Sequence, residues 1–180
     1  MAKAYDSRED TLKHISCVSE FMGSLIESLF CRLCNHDASK LREPEKAVFD
    51  EYTPMLAETT YGSDKYKQYL AEMKKALAHH YATNRHHPEH FKKYICNGCF
   101  KECKEMPDCC DVCGYSQFQA EADISQMTLV DLCEMIADWK AATLRHGDGD
   151  IFKSIEANQG RFRYSDELKQ ILINTVREYF

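Results

Sequence analysis

The 180-residue chain is poor in the residues that break helices, with seven glycines and four prolines. That argues against a loop-rich or low-complexity polypeptide. It has no apolar run long enough to span a bilayer, and its first ten residues are polar, with no signal-peptide core. Positive charge is not in excess: Lys+Arg number 23 against 29 Asp+Glu, a formal charge of −6. An acidic chain of this kind argues against nucleic-acid backbone binding, though it allows a local basic pocket, and the lack of a spanning run argues against a membrane partner. Strand-like alternation is too short anywhere to predict a sheet, and no internal repeat is visible. The expectation is therefore a cytoplasmic protein of a single domain, 1–180, large enough for one core. The sequence leaves its oligomeric state open.

What is abundant is helical periodicity. Leu12, Ile15, Val18, Phe21, Met22, Leu25, Ile26, Leu29, Phe30 and Leu33 recur at helical spacing, with Asp10 as the expected N-cap and Gly23-Ser24 as the one local breaker. Pro44 is placed to open a short helix to about Tyr52. Asp64 to His80 reads as one amphipathic helix. Thr128-Leu129-Val130-Asp131 has the form of a capping box opening a helix to about His146, closed by Gly147. Asp150 and Ser165 are N-cap candidates for two last helices.

Cysteine is abundant too, and six of the ten fall between residues 96 and 113. In a reducing compartment, clustered cysteines bind metal more often than they form disulfides. Cys96-Asn97-Gly98-Cys99 and Cys110-Asp111-Val112-Cys113 are two C-x2-C knuckles, with Gly98 and Gly114 where such turns need positive φ. Four thiolates predict a closed, structural zinc site in an insertion over 95–115. Cys103 and Cys109 are surplus, which leaves the fourth ligand open. Cys31 and Cys34 form a third C-x2-C, read as packing residues of a helix.

The remaining concentration is of histidine and aspartate. His14 is followed by His36-Asp37, then by His79, His80, His86, His87 and His90, then by Asp131 and Asp138. Imidazole and carboxylate are the donors that divalent transition metals take at neutral pH. Asp131 and Asp138 are seven apart and share a helical stripe, so either could face a site. His14 and His36 can meet only if the chain turns back between them, at Gly23-Ser24. On one straight helix they would stand about 33 Å apart.

In this order of motifs the sequence resembles the HD-domain superfamily of metal-dependent phosphohydrolases. His14-Ile15-Ser16-Cys17-Val18 is similar to that family's first histidine motif, and His36-Asp37-Ala38-Ser39-Lys40 to the HD-x-x-K form of cyclic-dinucleotide phosphodiesterases. His79-His80, Asn84 and the 86–90 group are similar in layout to the second histidine motif. The Gly-Tyr-Pro of that subgroup is absent. Ile136-Ala137-Asp138 resembles the closing helix, which favours Asp138 over Asp131. The likeness covers roughly 10–95 and 125–146, and is closest to a small phage and bacterial group of unassigned function.

The resemblance implies an all-α, HD-like helical bundle carrying the small zinc-binding insertion. It implies a metal centre of His14, His36, Asp37, His79, His80, His90 and Asp138, holding Mn, Fe, Ni or Zn. Asp37 and Lys40 would be the catalytic pair. Lys40, His86 and His87 would hold substrate, a nucleotide or other small phosphate ester. Two other readings use the same residues: a di-iron oxygenase of the HD fold, similar to inositol oxygenase, and a non-enzymatic, zinc-containing binding protein.

Overall fold

A computed structural model describes residues 5–60, 62–145 and 149–180. The chain divides into two compact units, Met1–His36 and Asp37–Phe180.

The first unit is one helix, α1, Arg8–Asn35, with Ser7 rather than Asp10 at its N-cap and His36 at its C-cap. Asp10 falls in the first turn, where its charge suits the helix dipole. Gly23 does not break the helix. It costs about 1 kcal/mol relative to alanine, which flanking turns of apolar and straight-chain residues absorb. The absence of a turn corrects the expectation for His14. It shares one uninterrupted helix with His36, and at 1.5 Å per residue the two stand about 33 Å apart. His14 therefore leaves the metal centre of its own chain. His14→Ala is expected to leave metal content unchanged by elemental analysis; a loss of metal would restore it to the ligand set.

Among its described residues, the second unit holds six α-helices, three short 3-10 turns and a small sheet. The helices are α2 Lys46–Ala57, α3 Asp64–Glu72, α4 Lys74–Thr83, α5 Leu129–Thr143, α6 Ile151–Phe162 and α7 Asp166–Tyr179. The expected helix over 64–80 is split at Met73, which serves as C-cap of α3 and N-cap of α4. Thr128 and Asp131 form the complete capping box of α5, each side chain accepting from the other's backbone N–H. Asp150 and Ser165 cap α6 and α7 by the same chemistry. α5 ends at Thr143; its expected end at His146-Gly147 lies outside the described residues.

The architecture is mostly helical, and the expectation of no sheet is corrected. Strands β1 Lys92–Cys96, β2 Glu102–Cys103 and β3 Phe118–Ala122 form an antiparallel sheet in the order β2-β1-β3. Lys92-Lys93-Tyr94-Ile95-Cys96 has no alternating pattern, because the cysteine-rich stretch rather than a hydrophobic face brings its partners to it. The apolar core lies among α5, α6 and α7, with Met135, Ile136, Ile151, Ile155, Phe162, Tyr164, Leu172 and Val176 buried. Trp139 stacks on Phe162 at its margin. Among the described residues, no helix is long and apolar enough to cross a membrane.

Candidate metal centres

α5 has two faces with different work. Leu132, Met135, Ile136 and Trp139 face the core. Asp131, Glu134 and Asp138, at i, i+3 and i+7, make an acidic stripe on the other side. Opposite it, α4 carries His79 and His80, and the segment after α4 carries Arg85, His86 and His87.

These elements bring Asp37, His80, His86 and His87 together. One donor atom of each lies within 4.8 Å of all the others. Asp37 stands in the left-handed region at φ 54, a conformation that aspartate tolerates better than most residues. Its Oδ1 is 3.3 Å from His80 Nε2 and 3.5 Å from His86 Nε2. His80 Nε2 and His87 Nε2 are 2.8 Å apart. Asp138 brings a carboxylate oxygen within 4.8 Å of one on Asp37. Opposite donors of one ion at about 2.1 Å would be about 4.2 Å apart, so the group is near the size of a metal shell.

The tautomers are set from behind. Glu45 is fully buried, and a carboxylate only accepts. Its Oε2 accepts a hydrogen bond from His80 Nδ1–H at 2.9 Å and another from Ser39 Oγ–H at 2.9 Å. His80 Nε2 is thereby left with its lone pair toward Asp37 and His87. Asn84 Nδ2 donates to Ser39 Oγ at 2.8 Å and to the His80 carbonyl at 2.9 Å, closing the network. Glu134 Oε1 stands 3.1 Å from His86 Nδ1, an ion-pair distance. Carboxylate-oriented imidazoles are what metal ligation by histidine requires. Burial, together with the neighbouring His86 and His80, pushes the pKa of His87 down to about 3, and burial lowers that of His80. Both rings are thus neutral at pH 7, the ligating form.

Several expectations need correction. His79 is on the far side of Glu45, with Nδ1 at 2.7 Å from Oε1 and a half-exposed ring, outside this group. Its place is taken by His80 alone, because successive helix residues point about 100° apart. His90 turns its Nδ1 to the Tyr81 carbonyl at 3.1 Å and fastens the loop instead. His86 and His87, expected to hold substrate, are within the donor group itself. Asp131 is occupied as a cap and as the acceptor of Arg85. Lys40 puts Nζ 2.5 Å from Asp37 Oδ2 and 5.0 Å from the Phe49 ring centre. His36 ends the first unit, one peptide bond before Asp37, and stays a candidate by residue type and by that linkage.

Glu45 and Glu134 were not foreseen. Glu134 had one legible signal, its i+3 spacing from Asp131 on the acidic stripe. Glu45 had none, since its histidine partners are 34 and 35 residues away. Glu45→Gln is expected to weaken metal binding about 10- to 100-fold, the usual cost of losing an outer carboxylate. Titration with Mn(II) followed by electron paramagnetic resonance would check it; unchanged affinity would remove Glu45 from the design.

The cysteines form a second group. Cys96, Cys99, Cys110 and Cys113 place their sulfurs within 4.8 Å of one another, with Cys96–Cys113 and Cys99–Cys110 both at 3.5 Å. Four sulfurs around one ion at about 2.3 Å would be about 3.8 Å apart. Backbone N–H groups of Cys113 and Val112 lower the Cys110 thiol to about 7, while at Cys113 the Tyr115 backbone N–H is outweighed by burial and hydrogen bonds from the other three thiols, which push it up to about 12. Gly114 has the expected positive φ of 71, but the other positive φ falls on Phe100 at 61 rather than on Gly98. Gly98 is needed for space: a Cβ there would meet Tyr115 at 3.1 Å and Cys113 Sγ at 3.3 Å. Both groups could thus hold metal ions.

Residues 3–178 match a family described only as a family of unknown function, DUF5662. The chain belongs to that family. Among curated proteins and among solved structures, nothing matches. In this DUF5662 member the chemistry of the two centres has therefore to be read from the residues themselves.

Proposed function

We propose that this DUF5662 protein is a metal-dependent phosphohydrolase or phosphodiesterase of HD type, acting on a nucleotide or another small phosphate ester. The observation that carries the reading is the donor group of Asp37, His80, His86 and His87, with Glu45 orienting the His80 imidazole. Three imidazoles and a carboxylate fit Mn, Fe, Ni or Zn. A metal ion there would polarise a phosphoryl oxygen and lower the pKa of a water. Asp37 holds the group together and, with Asp138 close by, gives the carboxylate oxygens that can orient an attacking water. Lys40, a quarter exposed beside Asp37, supplies positive charge to an anionic substrate. The cysteine group takes zinc in this reading. A reducing compartment, the cytoplasm, suits a chain whose ten cysteines are all unbridged.

The test is elemental analysis of anaerobically purified protein, followed by hydrolysis of bis(p-nitrophenyl) phosphate and of cyclic and linear nucleotides with added Mn(II). The expected result is transition metal beyond the cysteine-site zinc, and hydrolysis that chelation stops and metal restores. Zinc at the cysteine stoichiometry alone, with no hydrolysis, overturns the reading. Iron with oxygen uptake would move the protein to the oxygenase class.

A further inference from the structure

Between β1 and β3 the chain runs from Asn97 to Gln117 with almost nothing to hold it. Over residues 96–118 the only buried side chains are Cys96 and Cys110. Phe100, Met106, Val112 and Tyr115 are exposed, and β2 is two residues long. A loop of this length closes at an entropic cost, and a stretch without a core needs another source of order. The thiol group is at the closed end of the β1–β3 ladder, where Cys96 pairs with Phe118 and Asn97 N donates to Gln117 O at 3.0 Å.

The other end of the same ladder leads to the histidine group. β1 begins at Lys92, directly after the segment carrying His86, His87 and His90. β3 ends at Ala122, and Asp123 N donates to Phe91 O at 2.9 Å. A short turn, Ile124–Gln126, then leads to the capping box of α5, the helix with Glu134 and Asp138. Gln126 Nε2 reaches back to the Lys92 carbonyl at 3.2 Å. The five paired positions, Lys92↔Ala122 to Cys96↔Phe118, therefore set how the His86–His87 segment meets α5.

We propose that Cys96, Cys99, Cys110 and Cys113 hold a zinc ion that locks the β1–β3 register, and that this register sets metal affinity at the Asp37–His80–His86–His87 group. The second half rests on the metal centre proposed above. Soft thiolates in a tetrahedral set select zinc, and a shell closed by four of them leaves no position for substrate. The ion's work is mechanical, holding two ligand-bearing segments in step from one end of a hairpin.

The experiment uses the full-length protein. Zinc is released with p-hydroxymercuribenzoate and counted with a metallochromic dye, and the thiols are regenerated with excess dithiol under argon. Mn(II) affinity is then measured on zinc-loaded, stripped and zinc-restored protein, and amide hydrogen exchange is followed in parallel. The expected results are four thiols shielded by zinc and thiolate-to-cobalt charge-transfer bands on Co(II) substitution. Mn(II) affinity should fall at least about tenfold on stripping and return with zinc. Exchange should rise on stripping in Lys92–Cys96 and Phe118–Ala122 and in residues 86–91, while α6 and α7 stay protected. Cys110→Ser should reproduce the stripped state without mercurial chemistry.

Thiols that react at one rate with or without zinc overturn the zinc site. Zinc bound and released with no change in exchange at 86–91 or in Mn(II) affinity overturns the coupling. Zinc-loaded protein that binds no Mn(II) defeats the proposed function instead; the exchange pattern then still decides whether zinc locks the ladder to residues 86–91.

Discussion

Asp37→Asn is expected to cost about a thousandfold in turnover, roughly 4 kcal/mol of barrier, together with most of the metal at the histidine group. Asparagine is the informative replacement. The residue stands at φ 54, where asparagine and aspartate are tolerated and alanine is strained. Loss of function in Asp37→Asn would therefore report the missing charge rather than a displaced backbone. The charge matters because Asp37 Oδ1 is close to both His80 Nε2 and His86 Nε2. Metal content by elemental analysis and hydrolysis of bis(p-nitrophenyl) phosphate would be measured on the same preparation. A variant with full metal and turnover within tenfold of the parent would show that the chemistry is elsewhere.

The residues that make Asp37 important were only partly legible in the chain. Its own candidacy was visible, since a histidine-aspartate pair upstream of a histidine run is a local pattern. The choice among the five histidines was not. It depends on the break at Met73, which sets the rotation of α4, and on the turn at Asn84, which brings the 86–87 segment back. Neither is a matter of residue type. His79 and His80 are neighbours in sequence and on opposite sides of Glu45 in space, and no periodicity argument separates them without knowing which face of α4 is covered. Helix starts, by contrast, were written locally. Thr128, Asp150 and Ser165 each cap backbone amides within three residues, so tertiary structure had little to add. The four thiols were legible for the same reason: a knuckle is a property of four consecutive residues. The sheet was missed because β1 is held by partners at its ends rather than by an alternating face.

Asp131→Ala is expected to destabilise the protein by about 3 kcal/mol, near the lower end for breaking a buried ion pair. For a chain of this size that corresponds to a fall in Tm of roughly 10 °C. Asp131 is fully buried and its carboxylate accepts four hydrogen bonds. Arg85 donates through Nε at 3.1 Å and Nη2 at 3.0 Å, and Thr128 through its backbone N–H at 2.9 Å and Oγ1 at 2.8 Å. Alanine would leave all four donors without their acceptor and remove half of the α5 capping box. Arg85 is 41% exposed and can recover some solvation from water, which keeps the figure from the upper end of the range. The sign with pH follows from the carboxyl itself. Burial would raise its pKa, but the hydrogen bonds from Arg85 and Thr128 outweigh burial and hold it below 3.8. The carboxylate's contribution is therefore complete above that value and is lost as pH falls through the lowered pKa. The gap in Tm between parent and variant should accordingly be full at pH 7 and narrow as pH falls below 3.8. The effect should also reach the metal group, because Arg85 immediately precedes His86 and its guanidinium is packed 4.8 Å from the Phe91 ring centre. With that arginine released, the segment carrying His86 and His87 loses its hold on the start of α5, and Mn(II) affinity should drop with stability. Asp131→Asn keeps an acceptor for Thr128 and should fall between the two. A Tm for Asp131→Ala within about 2 °C of the parent, measured calorimetrically at pH 7, would mean that the Arg85–Asp131 pair contributes less than 1 kcal/mol and does not hold the histidine segment in place.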